Sequence, residues 1–152
     1  MEKTFILGYN KPYAELLGAE FIEIPNLKSD YEIHNSVRSL FDEHEIDKLI
    51  IEIGIDNLLA LKIGYHIRLS LDILKDKSLI PIYFISTRSL SSLVINSGIW
   101  GHILSTKGIY FSSLDNLNNI KIELDVIEGI SISEYKTKFL DIIKILPDEA
   151  IG

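Results

Sequence analysis

Short apolar runs alternate along this chain with longer, more polar segments, and this alternation restricts the fold more than any other feature. Apolar runs of strand length, separated by stretches long enough for a helix, are typical of a mainly parallel sheet with crossover helices. The predicted strands are Thr4 to Gly8, Glu20 to Ile24, Lys48 to Ile53, Ile80 to Ser86 and Ile103 to Ser105. We therefore expect an α/β fold.

Two of the remaining segments have clear helix patterns. Residues Ser29 to Glu43 carry apolar side chains at helical spacing behind Asp30, a residue type that caps helices. Near the C-terminus, Ser131 to Glu134 matches a capping box. The apolar stripe behind that box consists of Tyr135, Phe139, Ile142, Ile143 and Leu146. Pro147 is expected to end this last helix.

Two further segments have a period that favours a strand. Every odd position from Leu59 to Ile73 is apolar, yet the run is long for a strand and follows Asn57, a reasonable helix cap. We predict a helix there, apolar almost all round, which needs cover from its own domain or from another protein. Residues Ile120 to Val126 alternate over a strand's length and predict an additional or edge strand.

Composition excludes several classes of function. A chain of 152 residues suits one domain, and we treat residues 1–152 as that domain. No run approaches the length of a membrane span and no signal peptide is evident, so we expect a cytoplasmic protein without membrane contact. The formal net charge of −7 disfavours nucleic acid as a partner. The chain lacks cysteine and its four histidines lack zinc-motif spacing, so we predict neither a metal nor a cofactor.

The ends of the predicted strands carry the residues most informative about function, because side chains gather at the carboxyl edge of an open parallel sheet. Phe5 to Gly8 is followed by Tyr9-Asn10-Lys11-Pro12, and the buried run from Lys48 ends on Glu52. Pro81 to Thr87 brings Ser86 to a strand end, and Ser105 to Gly108 does the same for Lys107. In order and spacing, these segments resemble the response-regulator receiver domain family.

The resemblance implies a receiver-like site that has lost its chemistry. Glu52 stands at the phosphoacceptor position, while Tyr9 and Asn10 stand where two carboxylates help to bind magnesium. Ser86 takes the place of the switch hydroxyl, and Lys107 that of the phosphate-contacting lysine. We expect all five side chains to converge, with Glu52 paired to Lys107 and hydrogen-bonded by Ser86.

For the whole chain, the resemblance implies a flavodoxin-like (receiver-like) α/β fold: an open parallel five-stranded sheet flanked by helices. The short link from Pro12 to Glu20 predicts a shortened first helix, and Ile120 to Val126 would be an extra strand. The expected function is an atypical, non-phosphorylated signalling domain of a larger regulatory protein. It would not be an enzyme, and it would act as a protein interaction or dimerisation module, with a homodimer expected.

Receivers commonly pair through the fourth helix, fifth strand and fifth helix. The predicted interface consists of His66, Arg68, Leu90, Val94, Tyr135 and Phe139. For His66 and Arg68, a solvent-facing edge is an equal alternative to a recognition surface. Two other functions stay open: a flavodoxin-like domain that binds a nucleotide or small anion through Lys107 or Arg88, with or without enzymatic activity, and a purely structural domain.

Overall fold

The computed structural model describes residues 2–134, apart from the side chain of Asn57. The strands are β1 (Thr4–Gly8), β2 (Glu20–Glu23), β3 (Lys48–Glu52), β4 (Ile82–Ser86) and β5 (Ile109–Ser113). All pairings are parallel, and the order β2-β1-β3-β4-β5 is that of flavodoxin-like folds. The predicted five-stranded open sheet is confirmed.

Helices lie on both faces of the sheet. They are α1 (Lys11–Leu17), α2 (Asp30–Glu43), α3 (Asn57–Leu69), α4 (Leu71–Leu74), α5 (Leu90–Asn96), α6 (Leu117–Leu124) and α7 (Ile132–Glu134). Three 3₁₀ segments span Lys75–Leu79, Gly98–Ser105 and Leu114–Asn116. The first helix has only seven residues, as the short link predicted. It is capped at its C-terminus by Gly18, whose φ of 68° favours glycine. Within the described part of the chain, no helix is long and apolar enough to cross a bilayer.

Two apolar layers hold the helices against the sheet. The larger packs α2, α3 and the Gly98–Ser105 segment on side chains such as Leu49, Ile51 and Phe84. The smaller packs α1 and α6 on Ile6, Ile50 and Tyr83, among others. The central strands β3 and β4 are buried along their whole length, as expected for a sheet covered on both faces.

The fifth strand was predicted in the wrong place. Ile103 to Ser105 belongs to a 3₁₀ segment, in which Trp100 and Ile103 turn the same side inward, and the strand begins at Ile109. Apolar content alone did not distinguish these neighbouring runs.

The predicted extra strand is also wrong, because Ile120 to Val126 lies mainly in α6. Ile120 and Leu124, four residues apart, are buried, whereas Ile122 and Val126 are 68% and 74% exposed. The apolar side chains therefore occupy two sides of a helix, which imitates the alternation of a strand. The described sheet has five strands and no additional one.

The long apolar segment is helical, as predicted, and its own domain covers it. α3 packs against the sheet, α2 and two 3₁₀ segments. The caps differ from those expected: Asp56, not Asn57, caps α3, and Ser29, not Asp30, caps α2. At the other end of the chain, the Glu134 amide donates to Ser131 Oγ at 3.3 Å as the capping box requires, while Tyr135 to Pro147 lie outside the described residues.

His66 and Arg68 lie inside the domain, so the prediction that they form an exposed interface is wrong. Arg68 is fully buried and donates to the backbone oxygens of Ser78 (2.8 Å), Ile80 (2.7 Å) and Gly108 (3.2 Å). His66 is 5% exposed, and its Nε2 lies 3.3 Å from an Asp30 oxygen. Their alternation with apolar neighbours came from a helix that is buried on several sides.

Candidate functional site

Three of the five predicted site residues meet at the carboxyl edge of the sheet. Glu52 is the last residue of β3, while Tyr9 and Asn10 directly follow β1, the neighbouring strand. Because β1 and β3 run parallel, the loop after β1 lies beside the end of β3. This adjacency is a direct consequence of the strand order.

The Glu52 carboxylate is held by N–H donors on both of its oxygens. The backbone amides of Tyr9 and Asn10 donate to Oε1 at 3.0 and 3.2 Å, and the Asn10 side-chain amide donates to Oε2 at 2.6 Å. Glu52 is only 5% exposed, so these donors replace the water that a buried carboxylate requires. Both oxygens of the carboxyl group are therefore satisfied by hydrogen-bond donors of the domain itself.

Two glycines allow this close arrangement. A Cβ atom on Gly8 would lie 2.7 Å from Glu52 Oε1, and one on Gly54 would lie 2.5 Å from the Tyr9 ring. The carboxylate therefore reaches over the backbone of β1, and the Tyr9 ring lies over the backbone after β3. Neither glycine was predicted to belong to the site. The signal in the sequence was a glycine at the end of β1 and another shortly after the end of β3.

An open cavity of about 430 Å³ adjoins the carboxylate and is lined by Tyr9, Asn10, Glu52, Gly54, Ile55 and Asp56. Tyr9 is 44% exposed and Ile55 is 95% exposed, so the mouth is largely apolar. Burial, followed by the charges of Asp56 and Glu52, raises the pKa of Tyr9 above its ordinary value near 10.0. The phenol therefore stays neutral at neutral pH. Asp56 caps α3 by accepting from the amides of Leu58 and Leu59 at 3.1 and 3.3 Å.

Ser86 lies at the same edge but has another contact. Its Oγ accepts the Arg88 amide at 2.9 Å and so fixes the turn after β4. In residues 2–134, no hydrogen bond joins Ser86 to Glu52, and the predicted contact is not formed. Arg88, the other candidate for an anion contact, is exposed.

Lys107 lies at the opposite edge of the sheet, because it precedes β5 and all strands run the same way. Its Nζ is 3.0 Å from Glu134 Oε1, and this partner raises the pKa of the exposed ammonium. The predicted Glu52 to Lys107 ion pair is not formed. Placing the fifth strand too early in the chain caused this error.

The residues present do not fit a magnesium site of the receiver type. Both Glu52 oxygens accept hydrogen bonds, and Asn10 directs its amide nitrogen at the carboxylate. Magnesium prefers octahedral oxygen coordination with anionic ligands, and Tyr9 keeps its phenolic proton. Among the described residues, no group of three or more histidine, aspartate or glutamate side chains is arranged to hold a metal ion.

The predicted interface is exposed in part. Leu90 and Val94, one turn apart on α5, are 43% and 47% exposed. Ile95, which was not predicted, is 79% exposed beside them. Tyr135 and Phe139 lie outside the described residues.

Comparison with known families agrees with this site. A family model described as Inactive Receiver domain (iREC) matches residues 14–112, more than half of the chain. No curated protein and no solved structure matches the chain significantly. The matched region contains β2 to β4, most of β5 and Glu52, while the loop with Tyr9 and Asn10 precedes it. The chain belongs to the inactive receiver domain family.

Proposed function

We propose that this inactive receiver domain is a non-catalytic interaction module that pairs with a second copy of itself and needs no phosphorylation. The proposal rests on one observation: the Glu52 side chain is buried, and both of its oxygens accept hydrogen bonds from N–H groups. A carboxylate with this set of partners is neither a free nucleophile nor an open metal ligand.

The same contacts give the site one fixed arrangement. Tyr9 and Asn10 are tied to β3 by hydrogen bonds to the Glu52 side chain, so no phosphoryl group or cation is required to hold the loop. A ligand shifts a conformational equilibrium only through different affinities for its two states. The arrangement therefore favours a constant binding surface over a switched one.

The surface best suited to self-association is the outer face of α5. Leu90 and Val94 share one side of the helix, and Ile95 extends the apolar area. In the sheet as described, β5 lies beside this helix and is an edge strand. Receivers commonly pair through their fourth helix and fifth strand, and α5 and β5 occupy those positions in this fold. A twofold pair would bury the same apolar side chains on both copies.

Sedimentation equilibrium of the protein and of a Leu90→Ser/Val94→Ser variant tests self-association. We expect the protein to dimerise with rising concentration and the variant to weaken the dimer at least about tenfold, because each copy loses two apolar contacts. The matched control is Leu16→Ser/Ile122→Ser, two exposed apolar residues on α1 and α6. A protein that stays monomeric throughout, or a control that weakens the dimer equally, contradicts the proposal.

A further inference from the structure

The other edge of the sheet has the features of a second binding surface. β2 pairs only with β1 in the described sheet, so one side of the strand is open. The Ile24 amide donates to Gly8 O at 3.0 Å, so the backbone N–H and C=O groups of Ile24, and by alternation those of Ile22, point toward β1. The backbone groups of Phe21 and Glu23 therefore point outward. No hydrogen bond within residues 2–134 engages those outward groups.

An apolar groove of about 190 Å³ adjoins this open edge. Its wall on the strand side includes Ile22 and Pro25, and its wall on α2 includes Val37 and Leu40. An extended segment paired with β2 would point alternate side chains toward the face that α2 covers. The groove is placed to receive an apolar side chain from such a segment.

Charge around the edge determines which segment fits. Glu20 and Glu23 are exposed on the strand, and Glu43 lines the groove at the end of α2. Among the described residues, His44 is the only basic residue of the lining. Pairing two copies through β2 would gather both glutamates of each strand along one short ladder that contains no lysine or arginine. Like charges in such a ladder are destabilising, whereas opposite charges stabilise it. The edge therefore disfavours a second copy and favours a cationic partner.

Charged residues on an edge strand also discourage aggregation, and that role alone would explain Glu20 and Glu23. It would not explain an apolar groove that opens beside the same strand. We propose that the β2 edge and this groove bind an extended, basic segment of a protein partner by strand addition. The partner would alternate aliphatic residues, on the face that α2 covers, with lysine or arginine on the face that carries Glu23.

This surface is separate from the α5 face, so its test is independent of the dimerisation test. The probe is a short synthetic peptide that alternates lysine with valine, titrated into isotopically labelled protein and followed by amide shifts and hydrogen exchange. We expect protection of the Phe21 and Glu23 amides, with little change at Ile22, which already faces β1. The same peptide with glutamate in place of lysine should not bind.

Variants separate edge recognition from general attraction to an acidic protein. Glu20→Lys/Glu23→Lys should weaken peptide binding at least about tenfold. Asp72→Lys/Asp76→Lys changes net charge equally at exposed positions outside the groove and should bind as the unmodified protein does. Equal losses in the two variants, or no peptide-dependent protection of Phe21 and Glu23, would overturn the proposal. Protection of these amides on raising the protein concentration without peptide would also overturn it, because a second copy would then be the occupant.

Discussion

At the scale of single residues, Glu52 shows how a buried carboxyl group is satisfied by hydrogen-bond donors of its own domain. Its position at a strand end, and its approach to Tyr9 and Asn10, were predictable from the apolar run and the expected strand order. The partners were not, because backbone amides carry no signature in a sequence. The predicted partners were therefore Lys107 and Ser86, whereas the structure gives the carboxyl group two backbone amides and the side-chain amide of Asn10.

Removing the Glu52 side chain should be costly for stability. Glu52→Ala leaves the amides of Tyr9 and Asn10 without their acceptor, and we expect the free energy of unfolding to fall by about 3 kcal/mol. Glu52→Gln should cost only about 1 kcal/mol, because one oxygen remains and the Asn10 amide can turn its oxygen toward the new NH₂ group. Urea denaturation measures both changes, with Glu15→Ala on the exposed face of α1 as the control. Equal stability of the alanine variant and the unmodified protein would contradict this account.

Arg68 is a second residue whose role comes from its buried contacts. Burial lowers the pKa of Arg68 to about 9, so the guanidinium is charged at neutral pH. Its buried Nε has no hydrogen-bond partner among residues 2–134. The other nitrogens bind three backbone oxygens of the turns that precede β4 and β5. The residue joins the two turns at the amino edge of the sheet.

Substitution of Arg68 should therefore loosen that edge. We expect Arg68→Met, which keeps much of the side-chain volume, to lower the free energy of unfolding by about 3 kcal/mol, because the carbonyls of Ser78, Ile80 and Gly108 lose their donor. Hydrogen exchange should speed up at the amino ends of β4 and β5 more than at Glu52. Arg88→Met, at an exposed position, is the control. A stability change no larger than that of the control would contradict the assigned role.

At the scale of elements, strands with continuous apolar runs were predictable. The elements β5 and α6 were not, because a neighbouring apolar run or a misleading period pointed to another assignment. β1 and β3 were found because they are buried on both faces. β5 is only half-buried along most of its length, and the more apolar Gly98–Ser105 segment drew the assignment away from it. For α6, the exposed Ile122 and Val126 imposed a false period.

The contact between α2 and α3 predicts a pH dependence of stability. Burial lowers the pKa of His66 below its ordinary value of 6.5; Asp30 opposes this shift, while His34 and Lys62 reinforce it. The unfolded chain therefore takes up the proton at a higher pH than the folded chain does. The stabilising contribution is present above about pH 6.5 and is lost as the pH falls.

Chemical denaturation at pH 7 and pH 5 tests this dependence. We expect His66→Gln to reduce the loss of unfolding free energy between these two pH values. His102→Gln, at an exposed position, should leave the loss unchanged. Asp47, whose pKa is lowered by the Lys3 amide and Lys77, stabilises the protein equally at pH 7 and pH 5, because its effect is lost only as the pH falls below its ordinary pKa of 3.8. The same loss in the His66 variant and in the unmodified protein would show that another group is responsible.

At the scale of the whole molecule, strand order and family agree although the site does not converge as expected. The receiver resemblance was tied to five side chains meeting at one edge, and Lys107 does not join them. The fold rests instead on the parallel order β2-β1-β3-β4-β5 and on the family match over residues 14–112. The architecture was therefore predictable from the spacing of apolar runs. The predicted pocket was wrong in part, because it placed Lys107 at the end of a fifth strand that in fact begins only at Ile109.

The central claim is that Glu52 is a structural carboxylate in a site that neither accepts phosphate nor needs magnesium. The most direct measurement is intact-protein mass spectrometry after incubation with acetyl phosphate and magnesium, beside a phosphorylatable receiver as positive control. We predict no added phosphoryl group on this protein under conditions that modify the control. Stoichiometric, magnesium-dependent modification at Glu52 would contradict the claim.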